Sequence, residues 1–211
     1  MAGSNDLNPL LVSFGDLRRG LGIMGIALPF VLALGNLIIF QEGLQTSISD
    51  YYHTDMGDVL VGTLCAVGVF LAAYQGYTRR ENLISYLTGV FAIGVALFPT
   101  TPAGATTFQQ NIGIVHLIFA ALLFLSFAYF ALRVFTQGDT SVARKRRRNK
   151  VYIVSGIAIL LCILLIIIAN VVLDESQKEA YKPVFWLEAI AIVFFGISWL
   201  VKGTALPLLR D

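Results

Sequence analysis

Residues 144–173 read RKRRRNKVYIVSGIAILLCILLIIIANVVL, and this stretch decides the class of fold. From 151 to 173 it carries no charge, and Ser155 and Asn170 are its only strongly polar breaks. A helix rises about 1.5 Å per residue and needs roughly 20 apolar residues to cross the hydrocarbon core. Residues 151–173 therefore predict a membrane span. The basic run before it, RKRRRNK, predicts the cytoplasmic side, where Lys and Arg are retained.

The rest of the chain has the same character. Of its 211 residues 57% are hydrophobic and only 13% charged, with a mean hydropathy of +0.77. Soluble domains run about 45–50% apolar and about 25% charged. Further apolar stretches fall at 20–40, 58–77, 83–98, 112–135 and 184–201. The expected fold is all-α, an integral membrane bundle of six transmembrane helices forming one domain over 20–203. A cytoplasmic segment, 1–19, precedes it and a cytoplasmic tail, 204–211, follows. Residues 1–19 lack the basic start and short apolar core of a cleaved signal peptide. Within them NPLLVSFGDLRR, 8–19, predicts either an interfacial amphipathic helix or a frayed tail.

Arg18, Arg19, Arg79, Arg80, Arg133, the 144–150 run, Lys202 and Arg210 fall on one side of such a bundle. Lys178 and Lys182 fall on the other. This asymmetry predicts cytoplasmic termini, with the 41–58, 99–111 and 174–182 loops outside. Pro99 and Pro102 oppose a helix in the second of these, which reads as an ordered turn or a partly re-entrant segment. In the second span Gly62, Gly68, Ala66, Ala72 and Ala73 predict close helix approach, and leave a homo-oligomer open. Cys65 and Cys162 lie in different spans and read as packing residues.

Ionisable groups inside hydrocarbon cost about 2.5–3.5 kcal/mol at a helix centre, so their positions point to function. Asn36, Asp58, His116, Asn170 and Glu188 all fall toward the outer ends of their spans. The loop QEGLQTSISDYYHTDMGD, 41–58, lies over the same end. Together they predict an outward-facing polar cup that handles a membrane lipid or amphiphile. His53, His116, Asp58 and Glu188 form a candidate metal set, since imidazoles with carboxylates suit zinc and similar divalent ions. A metal-free hydrolase would use His116 or His53 as general base, oriented by Asp58 or Glu188, with Ser47 or Ser49 as nucleophile. The alternative is a non-enzymatic lipid-binding, transport or scaffolding protein whose polar groups fix the packing. The chain has no Gly-rich phosphate loop, and its basic run lacks interleaved aromatics, so nucleic acid is not an expected partner.

The segments SISDYYHTDMGDVLVGTLCAVGVFLAAYQGY (47–77), VALFPTTP (95–102) and VFWLEAIAIVFFGISWLVKG (184–203) carry a resemblance. They resemble a group of bacterial membrane proteins of unknown function in which a polar SIS loop follows the first span. That group is similar in outline to the Frag-, DRAM- and Sfk-type six-span proteins, some linked to lipid or GPI-anchor handling. The resemblance implies six spans, a bacterial inner membrane and a role for 47–58. Ser49 and His53 are also similar in spacing to the Ser-x-x-x-His element of the alkaline ceramidases, seven-span lipid hydrolases, with Asp55 or Asp58 as the following carboxylate. That element lies within a span in those enzymes and precedes one here. Their His-x-x-x-His pair in the last span is absent, and Glu188 is the one ionisable residue inside the sixth apolar stretch.

Overall fold

The structure, a computed structural model, describes residues 14–76, 78–138 and 141–203. These residues are all helical or irregular, with no strand among them. The helices are α1 (Phe14–Ile38), α2 (Gly57–Ala73), α3 (Arg79–Leu97), α4 (Thr107–Tyr129), α5 (Ala143–Val172), α6 (Glu175–Tyr181) and α7 (Pro183–Lys202). A 3-10 helix, Ser49–His53, precedes α2, and a π-helical turn, Phe130–Val134, extends α4.

Among the described residues four helices are long and apolar enough to cross a membrane: Gly15–Ile38, Thr107–Val134, Ala143–Val172 and Pro183–Lys202. Along α5 the large side chains Ile157, Leu160, Leu161, Leu164, Leu165 and Ile168 are exposed. A stripe of that size is an aggregation surface in water and an ordinary one in lipid, consistent with a membrane protein. The other two apolar stretches make shorter or more polar helices. The 17 residues of α2 rise roughly 26 Å, and α3 opens with the charged turn Arg79, Arg80, Glu81.

The ends of the helices depart from the expected boundaries for local reasons. The second stretch stops at Ala73 rather than 77 because Tyr74 turns out to extended backbone (ψ 129°). Its ring is then buried edge-on against Trp199, with centroids 5.1 Å apart. The 99–111 segment is helical from Thr107, because Thr106 and Gln109 form a reciprocal capping box. The same device, Asp174 with Gln177, starts α6 inside the expected 174–182 loop. That helix ends at Lys182 (φ +48°), and Pro183 opens α7 directly after it. The segment 8–19 joins α1 from Phe14 onward, and its earlier residues, like the tail 204–211, lie outside the described residues.

Close backbone approach fixes two crossings. A Cβ built on Gly196 of α7 would lie 2.6 Å from the Gly22 carbonyl of α1. One built on Gly68 of α2 would lie 2.9 Å from the Gly89 carbonyl of α3. Gly62, expected to act similarly, faces open space instead. The core is aromatic at one end, where Trp199 is fully buried among Tyr74, Phe130, Phe135 and Phe195. Toward the other end a second cluster joins Leu28, Leu32, Leu60 and Phe185 to Ile48, Tyr51 and Met56, which come from the polar stretch 41–58. Both cysteines are unpaired.

Candidate functional site

The loop between α1 and α2 folds onto the bundle, and the sequence shows how. Gln41 adopts a left-handed conformation (φ +57°) and reverses the chain after α1. Asn36, buried, then clamps the return: its side-chain amide N–H donates to the Gly43 carbonyl at 2.9 Å, and its main-chain carbonyl accepts from Glu42 N–H at 3.0 Å. Ile48 is 3% exposed and Tyr51 0%, so two apolar residues in a polar stretch anchor the loop in the core. Burial pushes the Tyr51 hydroxyl above the usual tyrosine range, which keeps it neutral.

Two bonds then join this loop to the start of α7. Phe185 N–H, in the first helical turn and without an intrahelical acceptor, donates to the Thr46 carbonyl at 3.0 Å. Ile48 N–H donates to Glu188 Oε2 at 2.8 Å. Inside the loop, Asp50 N–H donates to Ser47 Oγ at 2.9 Å, and the Thr46 hydroxyl donates to Asp50 Oδ2 at 2.5 Å.

Beneath and beside the loop lies a cavity of about 380 Å3. Its polar wall is made by Ser47, Ser49 and Asp50, by Thr100 and Thr101 after α3, by His116 of α4, by Asn170 of α5 and by Glu188 of α7. Glu175, Lys178 and Glu179 of α6 close one side. Leu117, Ala120 and Ile166 supply an apolar wall. Leu117 and Asn170 are exposed on the outer surfaces of α4 and α5, so the cavity has a lateral rim as well as an upper mouth. A smaller apolar space of about 50 Å3, lined by Met24, Leu28, Leu64, Phe124 and Phe195 among others, adjoins it deeper in the bundle. Ser49, Ala120 and Glu188 line both spaces.

His116 is 3% exposed. Its Nδ1 lies 2.6 Å from the Phe98 carbonyl oxygen, which can only accept, so Nδ1 carries the proton. In the neutral ring Nε2 is then an acceptor and a base. Ser49, His116 and Glu188 are thus brought to one cavity. His53 is exposed on the rim of a neighbouring cavity, with Nε2 3.0 Å from the Thr100 carbonyl oxygen. Asp58 is exposed in the first turn of α2, where its charge complements the helix dipole. It does not line the cavity.

The expected metal set is accordingly not assembled. Among the described residues no three His, Cys, Asp or Glu side chains gather as metal ligands would. His53, His116, Asp58 and Glu188 are divided between a rim, the cavity wall and the outside of α2. Asp50 belongs to the loop expected over the cup but is not among the expected site residues, and it lines the cavity. The signal was Ser47-x-x-Asp50, a local capping pattern that fixes an acidic side chain at the cavity. No protein-family profile, curated protein or solved structure matches this chain.

Proposed function

We propose that this is a six-span membrane protein, with both termini cytoplasmic, whose outer end binds an amphiphile. The headgroup sits against the polar wall of the 380 Å3 cavity, and the chain leaves along the apolar wall toward the lateral rim. The single observation that carries this reading is the mixed lining. Polar groups from three loops and the apolar Leu117, Ala120 and Ile166 line one space, and an apolar pocket adjoins it at Ser49, Ala120 and Glu188. A site for a purely polar solute has no use for the adjoining apolar pocket. Ligand sites pair apolar lining with placed polar groups that fix orientation.

The orientation is supported by charge. Segments 43–53, 100–103 and 175–182 converge at the cavity end. Arg18 lies over the Tyr74 ring, Lys145 over Tyr152 and Lys202 over Phe135, at the end marked by Trp199. Basic residues kept on one side make that side cytoplasmic. The opposite, cavity-bearing end then faces out.

Binding is the reading the geometry supports best, and hydrolysis is a second reading favoured by one feature, the fixed tautomer of His116. Its Nε2 lone pair is the general base such a reaction needs, and Ser49 lines the same space. The test of the binding reading is lipid retained through purification. Ala120→Trp fills the junction of the two spaces. Wild-type protein should carry about one amphiphile per chain after delipidating washes, and Ala120→Trp should carry none. Equal retention by the two refutes the site.

A further inference from the structure

We infer that the headgroup taken by this cavity is a cation with several N–H donors, an alkylammonium or similar amine. This rests on the amphiphile reading above and adds the chemistry of the head. Four carboxylates line the cavity, those of Asp50, Glu175, Glu179 and Glu188. Two are neutralised from their own helix turn: Glu175 pairs with Lys178 at 2.8 Å, and Glu179 with Lys182 at 3.0 Å. Asp50 and Glu188 form no ion pair among the described residues. Asp50 takes the Thr46 hydroxyl, and Glu188 takes loop backbone N–H groups, Ile48 at 2.8 Å and Ser49. A carboxylate offers about four lone-pair sites, so each keeps accepting capacity.

His116 adds a third acceptor, and it is independent of the acidic pair. The side chain is 97% buried by its 3% exposure, lines the cavity, and holds its only proton on Nδ1 toward Phe98. The remaining hydrogen-bonding capacity of this wall is therefore mostly accepting, and Asp50 gives it a negative charge without an ion-pair partner among the described residues. A phosphate or carboxylate head would place like charge beside Asp50. A hydroxyl head would donate without compensating charge. An ammonium does both, with up to three donors and one positive charge. A bare divalent ion fits less well, because these acceptors are not gathered at metal–ligand spacing.

The test uses the full chain in nanodiscs of neutral zwitterionic lipid. Dodecylamine, dodecanol and dodecyl phosphate compete against a photoreactive dodecylamine. Wild-type protein should prefer dodecylamine over dodecanol by about tenfold or more, as for a close charge pair, with no competition from dodecyl phosphate. Asp50→Asn and Glu188→Gln should each remove most of that preference for dodecylamine over dodecanol. Both keep an acceptor for their protein donor, so the loop stays docked. Equal or better competition by dodecanol or dodecyl phosphate, still abolished by Ala120→Trp, overturns the ammonium assignment while the cavity stands. Labelling that no competitor reduces and Ala120→Trp does not alter overturns both.

Discussion

Replacing Glu188 by Ala should release the loop from α7, and the size of the effect can be worked from one bond. Ile48 N–H donates to Glu188 Oε2 at 2.8 Å, and Ile48 is 3% exposed. The alanine variant leaves that buried N–H without an acceptor, which costs about 1–3 kcal/mol. At about 1.4 kcal/mol per tenfold, opening of the loop becomes roughly 5- to 150-fold more frequent. Amide hydrogen exchange reads this directly, because the exchanging proton is the bonded one. Ile48 and its neighbours in 46–51 should exchange faster by that factor in Glu188→Ala. In Glu188→Gln the amide oxygen can accept the same proton, so exchange should stay within about threefold of wild type. Peptides from the Trp199 end should be unchanged in both. If Glu188→Ala leaves the exchange of 46–51 unchanged, Glu188 does not hold the loop, and the description of the cavity roof is wrong.

Other substitutions separate packing from the site. Gly196→Ala should lower the thermal midpoint by the equivalent of about 1–3 kcal/mol, since its Cβ would meet the Gly22 backbone oxygen at 2.6 Å. Gly62→Ala should be neutral or stabilising by up to about 1 kcal/mol, because nothing lies within 4 Å of its added Cβ. His116→Ala leaves the Phe98 carbonyl without its donor and should lower the midpoint in a thermal melt. His116→Asn can restore that donor and recover stability, yet it lacks the Nε2 base, so any lipid hydrolysis should remain lost. In a background without Cys65 and Cys162, a cysteine at Gln45 should react with an impermeant maleimide in intact cells, and one at Arg147 only after lysis. The reverse pattern would invert the orientation.

Much of the fold was legible because apolar length and interruption are physical signals that act residue by residue. Each of the six apolar stretches falls on a helix, and the four longest of these helices are long and apolar enough to cross a membrane. Boundaries were less legible where a tertiary contact overrides the local pattern. Tyr74 is apolar enough to continue α2, but it leaves the helix in extended backbone and its ring packs edge-on against Trp199. The capping boxes at Thr106 and Asp174 could have been read from their S/T/D-x-x-Q spacing.

The site was legible by depth. His116 and Glu188 lie too far from their helix ends to be explained by nearby water, and both reach the cavity. Asp58 and Asn36 sit closer to helix ends, and each has a local explanation, a helix dipole for one and a loop clamp for the other. What a polar average over 41–58 hid was its apolar content. Ile48, Tyr51 and Met56 are buried and turn a solvent loop into a roof. His53 was separated from His116 by that same folding, which carries it to the Thr100 rim.

The most direct measurement of the central claim is the position of a bound amphiphile in the membrane itself. An alkyl probe with a diazirine beside its headgroup would be activated in native membranes, and the labelled peptides mapped. The account predicts adducts on 46–50, 116–120 and 184–188, lost on Ala120→Trp and in excess unlabelled probe. Adducts confined to the outward leucines of α5, Leu160, Leu161 and Leu164, and insensitive to Ala120→Trp, would mean that the probe reports bulk lipid and that the cavity is not a binding site.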